Sequence, residues 1–495
     1  LERLAAKHAS RSKAERAKHL VESAHHLRSL ETVPRFEKPV LRTNVTDARC
    51  VRLAQACVHR AVAIAGGLRS SAARELEDQE MLMHMLLSAT GSYADQERLM
   101  RRFHANSLAG ERARYFATGR AYHLQTAVSP PVPVPVTSVG KQHFPKTTRA
   151  RLRHDLEQIR RNVRVGVLDA DEARDATQAY EAVLKAVGGM PPEDGDDDFR
   201  HHDADSYMSS VVTLEGQLGH MLAPFYGREL SRVDAPRVEG GALDWSRLEI
   251  RTVSEDPLIL VADNVLKPEA LESINAFARG TSVWTSIKKN GYLCSFPEDG
   301  WATPLLGQLT EELPSLAPSL ACHHKLHTSW GYLYDDVRSD GIGVHADMAR
   351  VNVNCWVTPD EANLEAGVSG GMVVVPARPP PGWAKDFDKY NAPDASDPAF
   401  WKELDRQSNG RNVTVPHRQN RCVVFDSELY HWTDRINFRR GYDNRRINLT
   451  FLYGHPLDTS CRPRAGSAQV MSGARAAQAA KRKPSRVGQG GGGGD

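Results

Sequence analysis

The chain has 495 residues, 40% of them apolar and 25% charged, which is enough to bury more than one core. Its 64 basic and 61 acidic residues nearly cancel, and no apolar run approaches the roughly 18–20 residues that a membrane helix needs. Nucleic-acid binding through a basic surface and a membrane-spanning role are therefore not expected.

Residues 1–126 are predicted to be helical. AERAKHLVESAHHLRSL, ARCVRLAQACVHRAVAIAG and LEDQEMLMHMLL carry apolar residues at three- and four-residue spacing. SPPVPVPV cannot continue a helix and marks a linker over 127–146. Two more helices, TTRARLRHDLEQIRRNVRVGVL and DEARDATQAYEAVLKAV, open a segment 147–244 that leads into a core. It is interrupted by the acidic break GGMPPEDGDDD.

From 245 the texture changes. PLILVADNVL is a predicted strand, and PEALESINAFARG is a helix with proline at its start. HTSWGYLYDD, VNVNCWVTP, GGMVVVPA, RNVTVPHR, NRCVVFDS and RINLTFLYG are short, turn-separated strand candidates rich in Val, Tyr, Phe and Thr. This is the texture of a β-sandwich or jelly roll over 245–460. The stretch 377–419 interrupts it as a long irregular insertion, expected to border a substrate entrance. The tail 461–495 is rich in Ala, Gly and Ser, carries KRKPSR, and is expected to be disordered. The expected class is thus α+β: a sheet-rich core, flanking helices and a separate N-terminal helical region.

The seven cysteines are odd in number and form no CxxC pair. A disulfide framework and a zinc–cysteine cluster are not expected, and a reducing, cytoplasmic setting is the simpler reading. The first residues lack an apolar segment of the secretory kind. Asn-x-Thr triplets begin at Asn44, Asn412 and Asn448, the last inside an apparent core strand.

Chemistry concentrates in GIGVHADMARVNVNCW. Side chains alternate along a strand, so His345 and Asp347 share a face and can aim an imidazole and a carboxylate at one point. That donor pair suits Fe(II), Mn or Zn, although a lone His-x-Asp is usually a surface pair or a turn. Two further features change the weighting. NRCVVFDSELYHWTDR carries an apolar strand into a turn ending at His431. In RRINLTFLYG, Arg446, Asn448 and Thr450 share one face while Ile447, Leu449 and Phe451 take the other. An inward arginine is costly unless it meets an anion, and its planar fork matches a carboxylate. Arg445 would point the opposite way. Asn352 and Asn354 share a face; Asn352 is expected only to hydrogen-bond internally. His154 is expected to lie on a helix surface or to pack rather than to ligate, Trp432 to be core or pocket wall, and His201, His202, His323 and His324 to be solvated.

His345, Asp347 and His431 with Arg446 resemble, in order and spacing, the 2-oxoglutarate/Fe(II)-dependent oxygenase superfamily. PLILVADNVLKPEALESI is similar to the entry of its prolyl-hydroxylase-like branch. The stretch from LRHDLEQI through Tyr453 resembles a poorly characterised, multi-domain subgroup, and the first 125 residues lie outside the likeness. The resemblance implies a double-stranded β-helix core, iron held by the three ligands, and 2-oxoglutarate and O2 as cosubstrates. Arg446 would take the 2-oxoglutarate C5 carboxylate, with Tyr334, Asn354 and Thr450 as neighbours. It implies hydroxylation of a protein side chain or small molecule with release of succinate and CO2. Nucleic-acid demethylases of the superfamily carry a further arginine where this chain has Leu452, which argues against that substrate class. Two other classes stand beside the oxygenase: a zinc-binding hydrolase or sugar-binding jelly roll, and an inert scaffold. The sequence carries no signal for oligomeric state.

Overall fold

The computed structural model describes residues 146–188 and most of 212–454, with 378–394 the longest interval outside it in that span. The helical region 1–126, nearly all of the 127–146 linker and the tail 461–495 lie outside the described residues. Chain order begins with β1 (Lys146–Thr147), α1 (Arg149–Arg164), α2 (Ala170–Ala186), β2 (Val212–Thr213) and α3 (Gly216–Leu222). The Thr148 hydroxyl and the Asp169 carboxylate cap α1 and α2 by accepting free amide N–H groups of their first turns. Leu152, Leu156 and Ile159 of α1 pack against Ala176, Tyr180 and Val183 of α2 as a separate apolar cluster.

The core follows: β3 (Glu249–Glu255), β4 (Leu258–Asp263), α4 (Pro268–Gly280), β5 (Ser286–Lys288), β6 (Tyr292–Ser295), α5 (Pro304–Glu312), the single turn α6 (Pro318–Ala321), β7 (Leu326–Tyr334), β8 (Val351–Trp356), β9 (Met372–Val374), α7 (Pro398–Ser408), β10 (Val413–Val415), β11 (Arg421–Asp426), β12 (His431–Thr433) and β13 (Ile447–Tyr453). Eight strands form one antiparallel sheet in the order β3-β4-β11-β8-β13-β7-β6-β5, and β10-β9-β12 form a second. The core is thus rich in antiparallel sheet and flanked by helices.

The period-two pattern decides what each face meets. Val351, Val353 and Cys355 of β8 and Ile447, Leu449 and Phe451 of β13 join Ile274 and Phe277 of α4 and Leu305 and Leu309 of α5 in the main apolar cluster. Asn352, Asn354, Asn448 and Thr450 turn to the other face, toward the small sheet. One strand therefore serves both a helix-covered core and a polar cavity.

Helix α1 docks on the core through polar groups. Arg445 pairs with Glu157 of α1 at 2.8 Å and Asp336 at 3.0 Å, and Arg153 with Asp336 at 2.9 Å. Burial alone raises the Asp336 carboxyl, but these two guanidiniums hold it well below its usual range. Gln158 of α1 donates to the carbonyls of Arg279 and Thr281 at 3.1 Å.

Several expectations are corrected. Cys355 and Cys422 form a disulfide. Sequence spacing hides it because 67 residues separate them, yet they are direct partners in the β8–β11 register. The premise for a reducing setting falls with it. Closing a loop of that length contributes about 2–4 kcal/mol. Thiol counting in denaturant should find two fewer free cysteines before reduction than after it; equal counts would show the bond absent. The 377–419 stretch is not irregular throughout, since it holds α7 and β10. His324 is buried rather than solvated, lying close against Gly454; His201, His202 and His323 lie outside the described residues. Strands β1, β2, β3, β5, β6 and β12 are additions to the expected set.

Candidate metal centre

Between the two sheets lies a cavity lined by Trp330, Tyr332 and Tyr334 of β7, Asn354 and Trp356 of β8, Met372 of β9, His431 and Trp432 of β12, and Arg446, Asn448 and Thr450 at β13. His345 and Asp347 line it too. All seven residues singled out in the sequence, His345, Asp347, His431, Arg446, Tyr334, Asn354 and Thr450, therefore meet in one place.

His345 and Asp347 precede β8, and His345 forms an isolated antiparallel bridge with His431 at the start of β12. Two backbone hydrogen bonds close it, His345 N–H to His431 O at 3.0 Å and His431 N–H to His345 O at 2.8 Å. Residues 86 positions apart are thus locked side by side, with ring centroids 4.2 Å apart. Each Nδ1 lies against a backbone carbonyl, that of Gly343 for His345 (2.8 Å) and that of Leu429 for His431 (2.9 Å). A carbonyl only accepts, so each Nδ1 carries the proton and each Nε2 keeps its lone pair. Those Nε2 atoms face one carboxylate: His345 Nε2 lies 3.8 Å from Asp347 Oδ1, and His431 Nε2 lies 3.5 Å from Asp347 Oδ2. All three ligand atoms lie within 4.8 Å of one another. Neutral imidazole Nε2 atoms and an ionised carboxylate are the donor set of an iron or zinc site.

Burial supports the neutral state of His345. It lowers the His345 pKa to about 4, aided by the neighbouring His431 and opposed by Asp347. Burial alone would raise Asp347, but its polar neighbours, His431 first, then His345 and the Asn352 amide, hold it below the usual carboxylate value.

Arg446 lies across the cavity. Its Nε donates to Gly370 O at 2.6 Å and Nη2 to Gly371 O at 3.2 Å. Its Cζ stands 4.4 Å from the Tyr334 ring centroid and 5.7 Å from that of Trp356. Nη1 is buried without a hydrogen-bond partner, as is the Trp356 indole N–H. Arg445 has three carboxylates within 4 Å, whereas Arg446 has no ion pair among the described residues. Burial pushes the Arg446 pKa below the usual arginine value, with Tyr334 in part opposing. A buried cation with an unspent donor is costly unless an anion completes it. The cavity therefore offers a metal-ligand set at one end and an anion-seeking guanidinium at the other.

Sequence reasoning missed the groups behind these side chains. Gly370 and Gly371 supply the carbonyls that grip Arg446. A Cβ on Gly371 would stand 1.9 Å from Val415 O, so only glycine lets the small sheet approach. Trp356 could have been found by extending the Asn352–Asn354 face by two residues. His154 packs as expected, buried beside Arg445 Nη1 at 3.2 Å. Asn448 is buried within the polar face, which leaves no room for a glycan.

No protein-family model matches the chain, and no curated protein matches it. Solved structures do. The chain resembles 2-oxoglutarate/Fe(II) oxygenases. Non-heme alpha ketoglutarate dependent carbocyclase SnoK from nogalamycin biosynthesis is 13% identical over 42% of this chain and 85% of that one, with TM-score 0.28. EctD from S. alaskensis, solved with 2-oxoglutarate and 5-hydroxyectoine, is 12% identical over 48% and 84%, with TM-score 0.27. An oxidoreductase of the 2OG-Fe(II) oxygenase family from Burkholderia pseudomallei is 14% identical over 42% and 74%, with TM-score 0.17. Identity and overlap are both low, so the functional reading rests on the site's own geometry.

Three buried histidines give the fold an acid-sensitive stability. Burial lowers His154 well below its usual value, with Arg445, Arg151 and Arg153 adding to it. Burial, then Arg446 and Arg421, lowers His417 to about 3, and His345 stands at about 4. Below about pH 6.5 the unfolded chain binds protons that the folded chain refuses, so stability falls as pH falls. From pH 7 to 5 the loss is about 2 kcal/mol each for His417 and His345, and His154 acts in the same direction. Urea midpoints in chelator should fall between those pH values; a level or rising midpoint would contradict the burial of these rings.

Proposed function

We propose that this protein is a 2-oxoglutarate- and Fe(II)-dependent dioxygenase that hydroxylates a protein side chain or small molecule and releases succinate and CO2. The observation that carries this reading is the pairing, across one cavity, of two lone-pair Nε2 atoms and the Asp347 carboxylate with the unspent Nη1 of Arg446. The eight- and three-stranded antiparallel sheets are read as the two halves of a double-stranded β-helix within 245–460. The 147–244 segment is read as a support docked through Arg445.

Iron would be held by His345, Asp347 and His431, and with O2 it supplies the oxidative decarboxylation of 2-oxoglutarate and the oxygen delivered to substrate. The chain's own residues do the rest. The Gly343 and Leu429 carbonyls fix both rings with Nε2 inward. Arg446, held at Nε and Nη2 by Gly370 and Gly371, keeps Nη1 for the C5 carboxylate, and the Tyr334 ring supports the guanidinium. Orienting the far carboxylate fixes the reactive end without a further contact there. Trp330, Tyr332 and Trp432 wall the cavity and restrict water. Trp401 of α7 packs on Trp432 with ring centroids 5.9 Å apart, so this helix of the 377–419 insertion borders the cavity wall. Residues 378–394 of that insertion lie outside the described residues.

A zinc hydrolase or an inert scaffold has no use for a buried arginine with a free donor, which disfavours both. Purified iron-loaded protein should convert 2-oxoglutarate to succinate in air, faster with the right member of a panel of peptides and small metabolites. Absence of any 2-oxoglutarate consumption by intact, iron-loaded protein would overturn the reading. No helix among the described residues is long and apolar enough to cross a membrane.

A further inference from the structure

Behind Asp347 lies a polar chain that includes Asn354 and Thr450, the two residues the sequence placed beside the cosubstrate. Asn352 Nδ2 donates to Asp347 Oδ2 at 2.8 Å. Asn354 Nδ2 donates in turn to Asn352 Oδ1. Asn354 Oδ1 accepts from the Thr450 hydroxyl at 2.8 Å and from Asn448 Nδ2 at 3.0 Å, and Asn448 Nδ2 also reaches Thr450 Oγ1 at 2.9 Å. All four residues are at most 7% exposed. We propose that Asn352 is the positioning residue that sets the Asp347 carboxylate for metal, and that Asn354, Asn448 and Thr450 brace it rather than contact 2-oxoglutarate. This rests on the metal reading above.

The direction of every bond in the chain follows from its end. An ionised carboxylate only accepts, so Asn352 must present its NH2 to Asp347. Its carbonyl oxygen is then turned to Asn354, whose NH2 must meet it. That leaves the Asn354 carbonyl oxygen facing β13, where it takes the one proton of Thr450. A hydroxyl that has given its proton has only lone pairs left, and lone pairs repel a carboxylate. The Thr450 hydroxyl is thereby unsuited to a dicarboxylate, although it lines the same cavity.

The placement explains why the bracing is needed. Asp347 lies outside β8, on the segment between the His345 bridge and the strand. Its own N–H is held by Ser427 O at 3.1 Å, which fixes the backbone but not the carboxylate rotation. Asn352 is on the rigid strand, and Asn354 stands directly opposite Thr450 in the β8–β13 register. The sheet thus reaches out through two amides to fix one metal ligand. Partners of metal ligands of this kind are worth roughly 10–100-fold in metal affinity.

The test is an anaerobic titration of metal-stripped protein with Fe(II), or with Co(II) read by its absorbance, plus a 2-oxoglutarate titration at saturating metal. Asn352→Leu should raise the metal dissociation constant about 10–100-fold, and Asn354→Leu should raise it less. Neither these variants nor Thr450→Val should change the 2-oxoglutarate requirement. Val353→Ala, on the opposite face of the same strand, should lower the melting temperature and leave metal affinity intact. If Asn352→Leu does not fold, Asn352→Ser replaces it with the same expectation. Wild-type metal affinity in the Asn352 variant would overturn the proposal while leaving the metal site standing. So would a raised 2-oxoglutarate requirement in Asn354→Leu or Thr450→Val at unchanged metal affinity. Failure of the wild-type protein to bind metal would overturn both readings together.

Discussion

Asp347→Ala is expected to abolish iron binding at micromolar metal, and with it all 2-oxoglutarate turnover. The carboxylate is the only anionic member of the three-ligand set, and both histidine Nε2 atoms converge on it. Its loss also strands the Asn352 amide, at a cost of about 1–3 kcal/mol. Because that destabilisation is modest, the variant should remain folded, and circular dichroism will separate lost metal from lost structure. His345→Ala should behave likewise, since it leaves only two of the three ligands. A folded Asp347→Ala protein that still binds iron as the wild type does would show that the metal is held elsewhere.

The second large effect distinguishes two adjacent arginines. Arg446→Ala should raise the 2-oxoglutarate requirement by about 30-fold or more, because truncating one side of a buried charged contact costs 2–5 kcal/mol. Iron affinity should be unchanged, since Arg446 donates to the Gly370 and Gly371 carbonyls and to none of the three metal ligands. Arg445→Met should do the opposite. It removes one of the two guanidiniums that Glu157 and Asp336 share, Arg153 being the other, in a setting where breaking a buried pair costs up to about 3–5 kcal/mol. That variant should lose stability and the docking of α1, with a nearly normal 2-oxoglutarate requirement once folded. Calorimetry on both variants beside a cosubstrate titration reads the two effects separately. The reversed pattern would mean that the cosubstrate arginine had been misassigned.

The same two arginines show what a sequence can carry. RRINLTFLYG alternates so regularly that its period alone assigns the inward and outward sets. Arg446, Asn448 and Thr450 do line the cavity, and Ile447, Leu449 and Phe451 do join the apolar cluster. His345, Asp347 and His431 are legible because a metal needs particular donor types, whatever the distance between them in sequence. What joins donors to supports is not legible. The Asn352–Asp347 bond turns on the conformation of the segment between His345 and β8, which has no period to read. The Gly370–Gly371 clamp depends on how closely β9 approaches β10. Cys355 and Cys422 meet only because β11 inserts between β4 and β8 in the sheet, a non-sequential order that no local pattern encodes. Helix α7 escapes notice because its eleven residues sit inside a stretch rich in Pro, Asp and Asn that signals loop.

Anaerobic addition of Fe(II) and then 2-oxoglutarate to the purified protein tests the central claim most directly. A keto acid chelated to iron held by His345, Asp347 and His431 should give a visible metal-to-ligand charge-transfer absorption. The band should vanish in Asp347→Ala and need more 2-oxoglutarate in Arg446→Ala. Intact, iron-loaded wild-type protein that shows no such band at saturating 2-oxoglutarate would contradict the assignment.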